Sequence, residues 1–177
     1  MDNLFDVIRT ILLVVLMVRA LYDDIQNRKI RNILTLPAFI SGIIIEIVQN
    51  SLAGSVMIVK ELLVMFAIVF VLYVLQFFGA GDAKLLLAIT AIMGLTFAVG
   101  VTIYAIMIGA IISIFILKDI HVLKSLNLLI NNIRNTFLSK EIVRNEVSEN
   151  KKVLFAIPIS IACCLQWLLP LYDVLAI

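Results

Sequence analysis

Charged side chains and cysteines are scarce in this 177-residue chain. Only 15% of its residues are charged and 63% are hydrophobic, whereas soluble domains carry about 25% charged residues. The mean hydropathy is +1.16, which excludes disordered and collagen-like proteins. Two adjacent cysteines, Cys163 and Cys164, can neither pair with each other in a helix nor build a zinc site. A net charge of +2 gives no reason to expect nucleic-acid binding. The composition predicts an integral membrane protein.

Long apolar stretches predict an all-α, six-helix transmembrane bundle that forms one membrane domain over residues 1–177. The uncharged stretch from residue 85 to residue 117 would be about 50 Å long as one helix, whereas the bilayer core is about 30 Å thick. We therefore expect it to turn between Gly94 and Gly100. The six predicted spans are residues 4–22, 33–49, 62–78, two spans within 85–117, and 153–171.

Lysine and arginine fall mainly on one side of these spans. Eleven of the 14 lie in the loop after the first span, at position 84 or in residues 118–152. The positive-inside rule makes this side cytoplasmic. Apolar residues recur every three or four positions between residues 120 and 137, which predicts an amphipathic helix on the cytoplasmic membrane surface within residues 118–152.

Two acidic positions stand out because carboxylates near a membrane are costly and often functional. Asp24 follows the first span, and Asp82 lies between the third and fourth spans. Since two spans separate them, both are expected on the cytoplasmic face. Two close carboxylates suit aspartyl protease chemistry: an ionised one takes a proton from water, and a protonated one hydrogen-bonds the scissile carbonyl. Gly79 and Gly81 would let a substrate backbone approach Asp82.

These residues carry a family resemblance. Gly79-Ala80-Gly81-Asp82-Ala83-Lys84 resembles the GxGDxK motif of type IV prepilin peptidases and archaeal preflagellin peptidases. Upstream, Asp24, Arg28 and the triplet Ile30-Arg31-Asn32 resemble that family's first aspartate, its Arg-rich stretch and its Ile-Pro-Asn, with Arg31 in place of the proline. Alignment on Ile30 makes Asp24 the first catalytic aspartate. The resemblance implies catalytic Asp24 and Asp82 with supporting motif residues Gly79, Gly81, Lys84, Asp23, Arg28 and Asn32.

The resemblance also implies a function. It indicates a multi-pass aspartic-type endopeptidase of a prokaryotic cytoplasmic membrane, without metal or organic cofactor. Its partners would be the lipid bilayer and a prepilin-like or preflagellin-like precursor, whose basic leader it removes at the cytoplasmic face. The sequence lacks the paired CxxC motifs that the family links to N-methylation, so we expect proteolysis without methyltransferase activity.

Several alternatives stay open at this point. A presenilin-like intramembrane protease shares GxGD, and Tyr22-Asp23 is similar to its YD, which keeps Asp23 as a rival for Asp24. Such chains usually have more spans and a Pro-Ala-Leu motif, absent here. A cation or proton transporter subunit would show repeats and acids at the membrane midplane. For Asp23 we expect an ion pair with Arg19, four residues earlier. Lys84 is expected to orient Asp82 or balance its charge.

Overall fold

The computed structural model describes residues 2–27, 30–75, 77–117 and 156–170, and these ranges are helical apart from short connections. They contain no strand, so the all-α prediction is confirmed. The predicted segment 118–152 and Arg28 lie outside the described residues. The helices are α1 (Asp2–Asn27), α2 (Asn32–Val74), α3 (Ala80–Met93), α4 (Leu95–Leu117) and α5 (Ala156–Leu168).

Helix α2 is too long to be one straight rod, and its contacts show that it folds back. Gly42 lies against the backbone of Ala91 and Ile92 in α3, while the carboxylate of Glu61 accepts a hydrogen bond from the Leu95 N–H at 3.0 Å. A straight helix would place Gly42 and Glu61 about 28 Å apart. Their contacts on the other side, Ile92 and Leu95, are at most about 11 Å apart. A glutamate side chain is too short to make up the difference between about 11 Å and about 28 Å. The chain therefore reverses between Gly42 and Glu61.

The reversal gives α2 two arms that run in opposite directions beside α3. The first arm starts next to the first turn of α3, where Asn32 contacts Lys84. The second arm ends at Val74, shortly before α3 begins. The interval that contains the reversal includes Gly54-Ser55, a kind of pair at which helices kink sharply. The predicted hairpin of the second and third spans is thus present.

Helices α3 and α4 separate at a single glycine. Gly94 has a φ of 86°, a left-handed angle that breaks an α-helix and that residues with a Cβ rarely adopt. The break falls within the predicted interval from Gly94 to Gly100. Glu61 caps the N-terminus of α4 through the Leu95 N–H, one of the groups that a helix start leaves without an intrahelical partner.

Three segments are long and apolar enough to cross a membrane: Asn32–Asn50, Val56–Val74 and Leu95–Ile112. Large hydrophobic side chains along α1 and α2 are exposed, as expected for surfaces that face lipid. When the two arms of α2 are counted separately, the described residues contain six helical segments, the number predicted for the bundle. The protein is a multi-pass, all-α membrane protein.

Helix α3 forms the centre of the core. Its buried residues include Leu85, Leu86, Ile89 and Ile92, and it packs against α1 and both arms of α2. The approach to the first arm is close, since a Cβ on Gly42 would lie 2.5 Å from the Ala91 carbonyl oxygen. Only glycine fits there without a backbone shift. The chain divides into two compact units, residues 1–108 with 154–177 and residues 109–153, and both Asp24 and Asp82 belong to the first.

Candidate active site

Asp24 lies in the last turn of α1 and is almost completely buried, with 7% of the residue exposed. Its Oδ2 accepts a hydrogen bond from the Ala156 N–H, the first residue of α5, at 3.1 Å. Burial raises the pKa of Asp24, and the Ala156 N–H opposes that rise because it stabilises the carboxylate. Residue 24 lies outside the three candidate spans. This carboxyl is held between the end of α1 and the start of α5.

Asp82 lies in the first turn of α3, also outside the candidate spans, and is 9% exposed. Its Oδ2 accepts a hydrogen bond from the Gly79 N–H at 3.1 Å, so the side chain caps its own helix. The pKa of Asp82 is raised to about 6, mainly by burial and to a lesser extent by the charge of Asp24, while the hydrogen bond from the Gly79 N–H acts in the opposite direction. The two carboxyls therefore lie near enough for the charge of Asp24 to act on the pKa of Asp82.

Asp23 has a different partner from the one expected. Arg31 donates to both of its carboxylate oxygens, from Nε at 3.2 Å and from Nη2 at 3.1 Å. The predicted Arg19–Asp23 pair is wrong, because Arg19 is exposed while Asp23 is turned inward and is only 3% exposed. A bidentate arginine contact also satisfies both carboxylate oxygens of a buried acid. Asp23 is thus engaged in a salt bridge, whereas no such cation binds Asp24 within the described residues.

Lys84 has its hydrogen-bond partner on another helix, and the prediction that it orients Asp82 or balances its charge stays a prediction. Its ammonium donates to the Asn32 Oδ1 at 2.9 Å, across 52 residues of sequence. Among the described residues, the ion pairs that form involve other side chains, and none joins Lys84 to Asp82. The reason is geometric, since residues two apart on a helix point in nearly opposite directions. Lys84 therefore joins α3 to the start of α2.

The two glycines of the motif have structural explanations. A Cβ on Gly81 would lie 3.3 Å from the Cβ of Ile30, a buried residue that precedes α2. A Cβ on Gly79 would lie 3.2 Å from the Oδ2 of Asp82. Both distances are tighter than ordinary van der Waals contacts. The two glycines therefore leave room for the Ile30 side chain and for the Asp82 carboxylate. That they also leave room for a substrate stays a prediction.

A cavity of about 550 Å³ lies between α1 and α5. It begins at Leu21, about one helical turn before Asp24, and continues along α1 to Thr10, a distance of about 16 Å. Its lining is almost entirely apolar and includes Val14 and Cys163. No sequence pattern indicates this cavity, because it depends on how α1 and α5 pack. We refer to it below as the α1–α5 groove.

Metal binding has no support in the described residues, where no three His, Cys, Asp or Glu side chains lie close enough to hold an ion. Within the described residues, the hydrogen bonds to the carboxyls of Asp24 and Asp82 come from backbone N–H groups, those of Ala156 and Gly79. Such an arrangement can bind and move protons. The hydrogen bond from the Ala156 N–H to Asp24 could not be predicted from the sequence, because 132 residues separate the two.

A comparison with known protein families identifies the family of the chain. The model of the type IV leader peptidase family matches residues 11–114, more than half of the chain and the part that contains both Asp24 and Asp82. No curated protein and no solved structure matches the chain. The chain belongs to the type IV leader peptidase family and is a membrane-embedded protease.

Proposed function

We propose that the protein is an aspartic endopeptidase in which Asp24 and Asp82 form the catalytic pair. The observation that carries the proposal is that two carboxyls from different helices are both buried and lie near enough for the charge of Asp24 to help raise the pKa of Asp82. Asp23, the rival candidate, is neutralised by Arg31. Asp24 is therefore the better candidate for the first catalytic aspartate.

The raised pKa of Asp82 is the basis on which we assign the roles. Asp82 retains its proton at higher pH than an ordinary aspartate, so it donates a hydrogen bond to the scissile carbonyl. Asp24, as the carboxylate, takes a proton from the attacking water while the water oxygen bonds to the carbonyl carbon. The C–N bond then breaks, and the leaving amine takes up a proton from the pair. The products are a leader with a new carboxylate and a protein with a new amino terminus.

The substrate in this proposal is a prepilin-like or preflagellin-like precursor, with a short basic leader before a hydrophobic helix. The α1–α5 groove supports it, because its apolar lining starts about one turn from Asp24 and runs along a membrane helix. A hydrophobic segment in this groove would leave the preceding peptide bond beside the two carboxyls. The segment would also stay out of water, so the precursor would not have to leave the bilayer.

We place the catalytic end at the cytoplasmic face of a prokaryotic membrane. Arg31 and Lys84 both lie at this end, where they contact Asp23 and Asn32. Basic residues concentrate on the cytoplasmic side of membrane proteins. The proposal covers proteolysis without N-methylation, since the 177-residue sequence contains no CxxC pair.

The test is cleavage of a coexpressed prepilin-like precursor by the parent and by Asp24→Asn and Asp82→Asn, with the exposed Asp6→Asn in α1 as a control. We expect each catalytic variant to lose at least about 100-fold in rate, the scale of a lost acid or base, at normal protein levels. Asp6→Asn should keep the parent rate. Near-parent cleavage by Asp24→Asn or by Asp82→Asn would overturn the assignment.

Mass spectrometry of the new amino terminus separates this proposal from a presenilin-like protease. A cut immediately before the hydrophobic segment supports leader removal, whereas a cut within that segment indicates intramembrane proteolysis. A purified protein that cleaves neither a precursor nor a peptide would favour the transporter alternative.

A further inference from the structure

The short segment with which the chain enters α2 touches both helices that carry the proposed catalytic carboxyls. This segment, residues 30–32, is called the connector below. Arg31 faces α1, whereas Ile30 and Asn32 face the first turn of α3. Three consecutive residues therefore bridge the two helix ends.

The contact with α1 is made next to Asp24. The two hydrogen bonds from Arg31 fix Asp23 in position and direction, because the planar guanidinium matches the carboxylate at two points. Asp23 and Asp24 are consecutive in the last turn of α1 and share a peptide unit. Holding Asp23 therefore holds the backbone that carries Asp24.

The contacts with α3 are made on both sides of Asp82. Ile30 packs at Gly81, where a Cβ would lie 3.3 Å from the Ile30 Cβ, and Asn32 accepts the hydrogen bond from Lys84 at 2.9 Å. Gly81 precedes Asp82 directly, and Lys84 follows it by two residues. A shift of the connector would therefore move the first turn of α3 relative to α1.

We propose that the connector is a positioning element that sets the distance between Asp24 and Asp82, with Arg31, Asn32 and Lys84 as its positioning residues. The inference rests on the proposed function, since that distance matters only if both carboxyls act in one reaction. None of the three residues needs to touch the substrate. Asn32 and Lys84 are both exposed, and an exposed hydrogen bond contributes little to stability, so its loss leaves the fold intact.

The experiment measures kcat and KM for a precursor-derived peptide with purified enzyme in detergent. Misplacement of reacting groups by about 1 Å can cost about 100-fold in rate. We expect Arg31→Ala, Asn32→Ala and Lys84→Ala each to lower kcat by about 10-fold to 100-fold, with KM within about 3-fold of the parent. The losses should be smaller than that of Asp82→Asn. Asn32→Asp, which still offers Lys84 an acceptor, should retain most of the activity.

The double variant Asn32→Ala/Lys84→Ala tests whether the two residues act through one contact. If they do, the double variant loses no more than the worse single variant. If each acts separately, the two losses multiply, and that result would overturn the proposal.

The chain provides a matched control at the opposite end of the same helices. Arg9 of α1 donates to Glu46 and Gln49 of α2 and to the Ile92 carbonyl of α3, so it also joins all three helices. Arg9→Ala should lower the melting temperature at least as much as Arg31→Ala but keep kcat within about 3-fold of the parent. An equal loss of kcat in both variants would show that general loosening of the bundle explains the effect, and would refute a specific role of the connector.

The outcome for Asp82→Asn separates the two proposals. An inactive Asp82→Asn beside fully active connector variants would overturn only the positioning role. An active Asp82→Asn would overturn the catalytic pair and the positioning role with it.

Discussion

The buried carboxyl of Asp82 should make the protein less stable at neutral pH than a variant without it. Its pKa rises from an ordinary value of 3.8 to about 6, mainly because burial disfavours the charged form. Between these two pH values the folded state holds a proton that the unfolded state has lost, so the free energy of unfolding falls as pH rises. Well below pH 3.8 the free energy of unfolding is not reduced, and well above pH 6 the reduction is complete.

The size of the effect follows from the shift. About two pKa units correspond to about 3 kcal/mol of stability lost at pH 8 relative to pH 4. Asp82→Asn removes the charge and keeps an oxygen that can accept from the Gly79 N–H. We therefore expect Asp82→Asn to be inactive yet more stable than the parent at pH 8, and to match the parent at pH 4. For a chain of this size the gain in melting temperature is at most about 10 °C.

Thermal unfolding in detergent, followed by the fluorescence of the single tryptophan, Trp167, measures this difference. Asp82→Ala separates charge from capping, because it removes both and leaves the Gly79 N–H without its acceptor. Its gain at pH 8 should be smaller than that of Asp82→Asn by about 1 kcal/mol. The reasoning fails if Asp82→Asn is no more stable than the parent at pH 8, or if the difference is the same at pH 4 and pH 8.

Two further predictions concern packing. Val14→Trp fills the α1–α5 groove and should slow cleavage of a membrane-inserted precursor by about 10-fold more than cleavage of a short soluble peptide. Val15 is equally exposed but lies outside the groove, so Val15→Trp should leave both cleavage rates unchanged. Equal effects at both positions, in parallel precursor and peptide assays, would remove the groove from substrate binding. Gly42→Ala should lower stability by about 1–3 kcal/mol, because its Cβ meets the α3 backbone; a melting temperature equal to that of Ser41→Ala would contradict this.

The main features of the fold could be predicted from the sequence because membrane helices obey length and charge rules. The uncharged stretch of 33 residues was too long for one span, and it breaks at Gly94. The two spans between Asp24 and Asp82 predict that both residues lie at the same end, and in the structure they are near enough for the charge of Asp24 to raise the pKa of Asp82. These conclusions depend on helix lengths and on the number of spans, not on the rotation of any helix about its axis.

Side-chain partners at the site could not be predicted in the same way. Whether Asp23 pairs with Arg19 or Arg31 depends on which face of α1 turns inward, and a spacing of four residues within the helix does not decide it. The Asn32–Lys84 and Ala156–Asp24 contacts cross 52 and 132 residues, and they exist only after the helices have packed. The family motif identified most of these residues but not what they contact.

Arg31 provides a last prediction, because it occupies the position of the family's proline. Its φ of −82° and ψ of 140° are extended, and the φ lies near the value of about −65° that a proline ring imposes. The backbone at residue 31 thus has nearly the conformation that a proline would favour, while the side chain adds the salt bridge to Asp23. We expect Arg31→Pro to preserve the start of α2 but to leave Asp23 buried without its cation.

Asp23→Asn/Arg31→Pro should then recover the stability that Arg31→Pro alone has lost, because the double variant has no unpaired buried charge, but its kcat should stay low, because the guanidinium that holds α1 is absent. A single Arg31→Pro variant with parent kcat would show that the backbone angle alone is sufficient. A double variant with the parent kcat would show that the guanidinium is not required to hold α1.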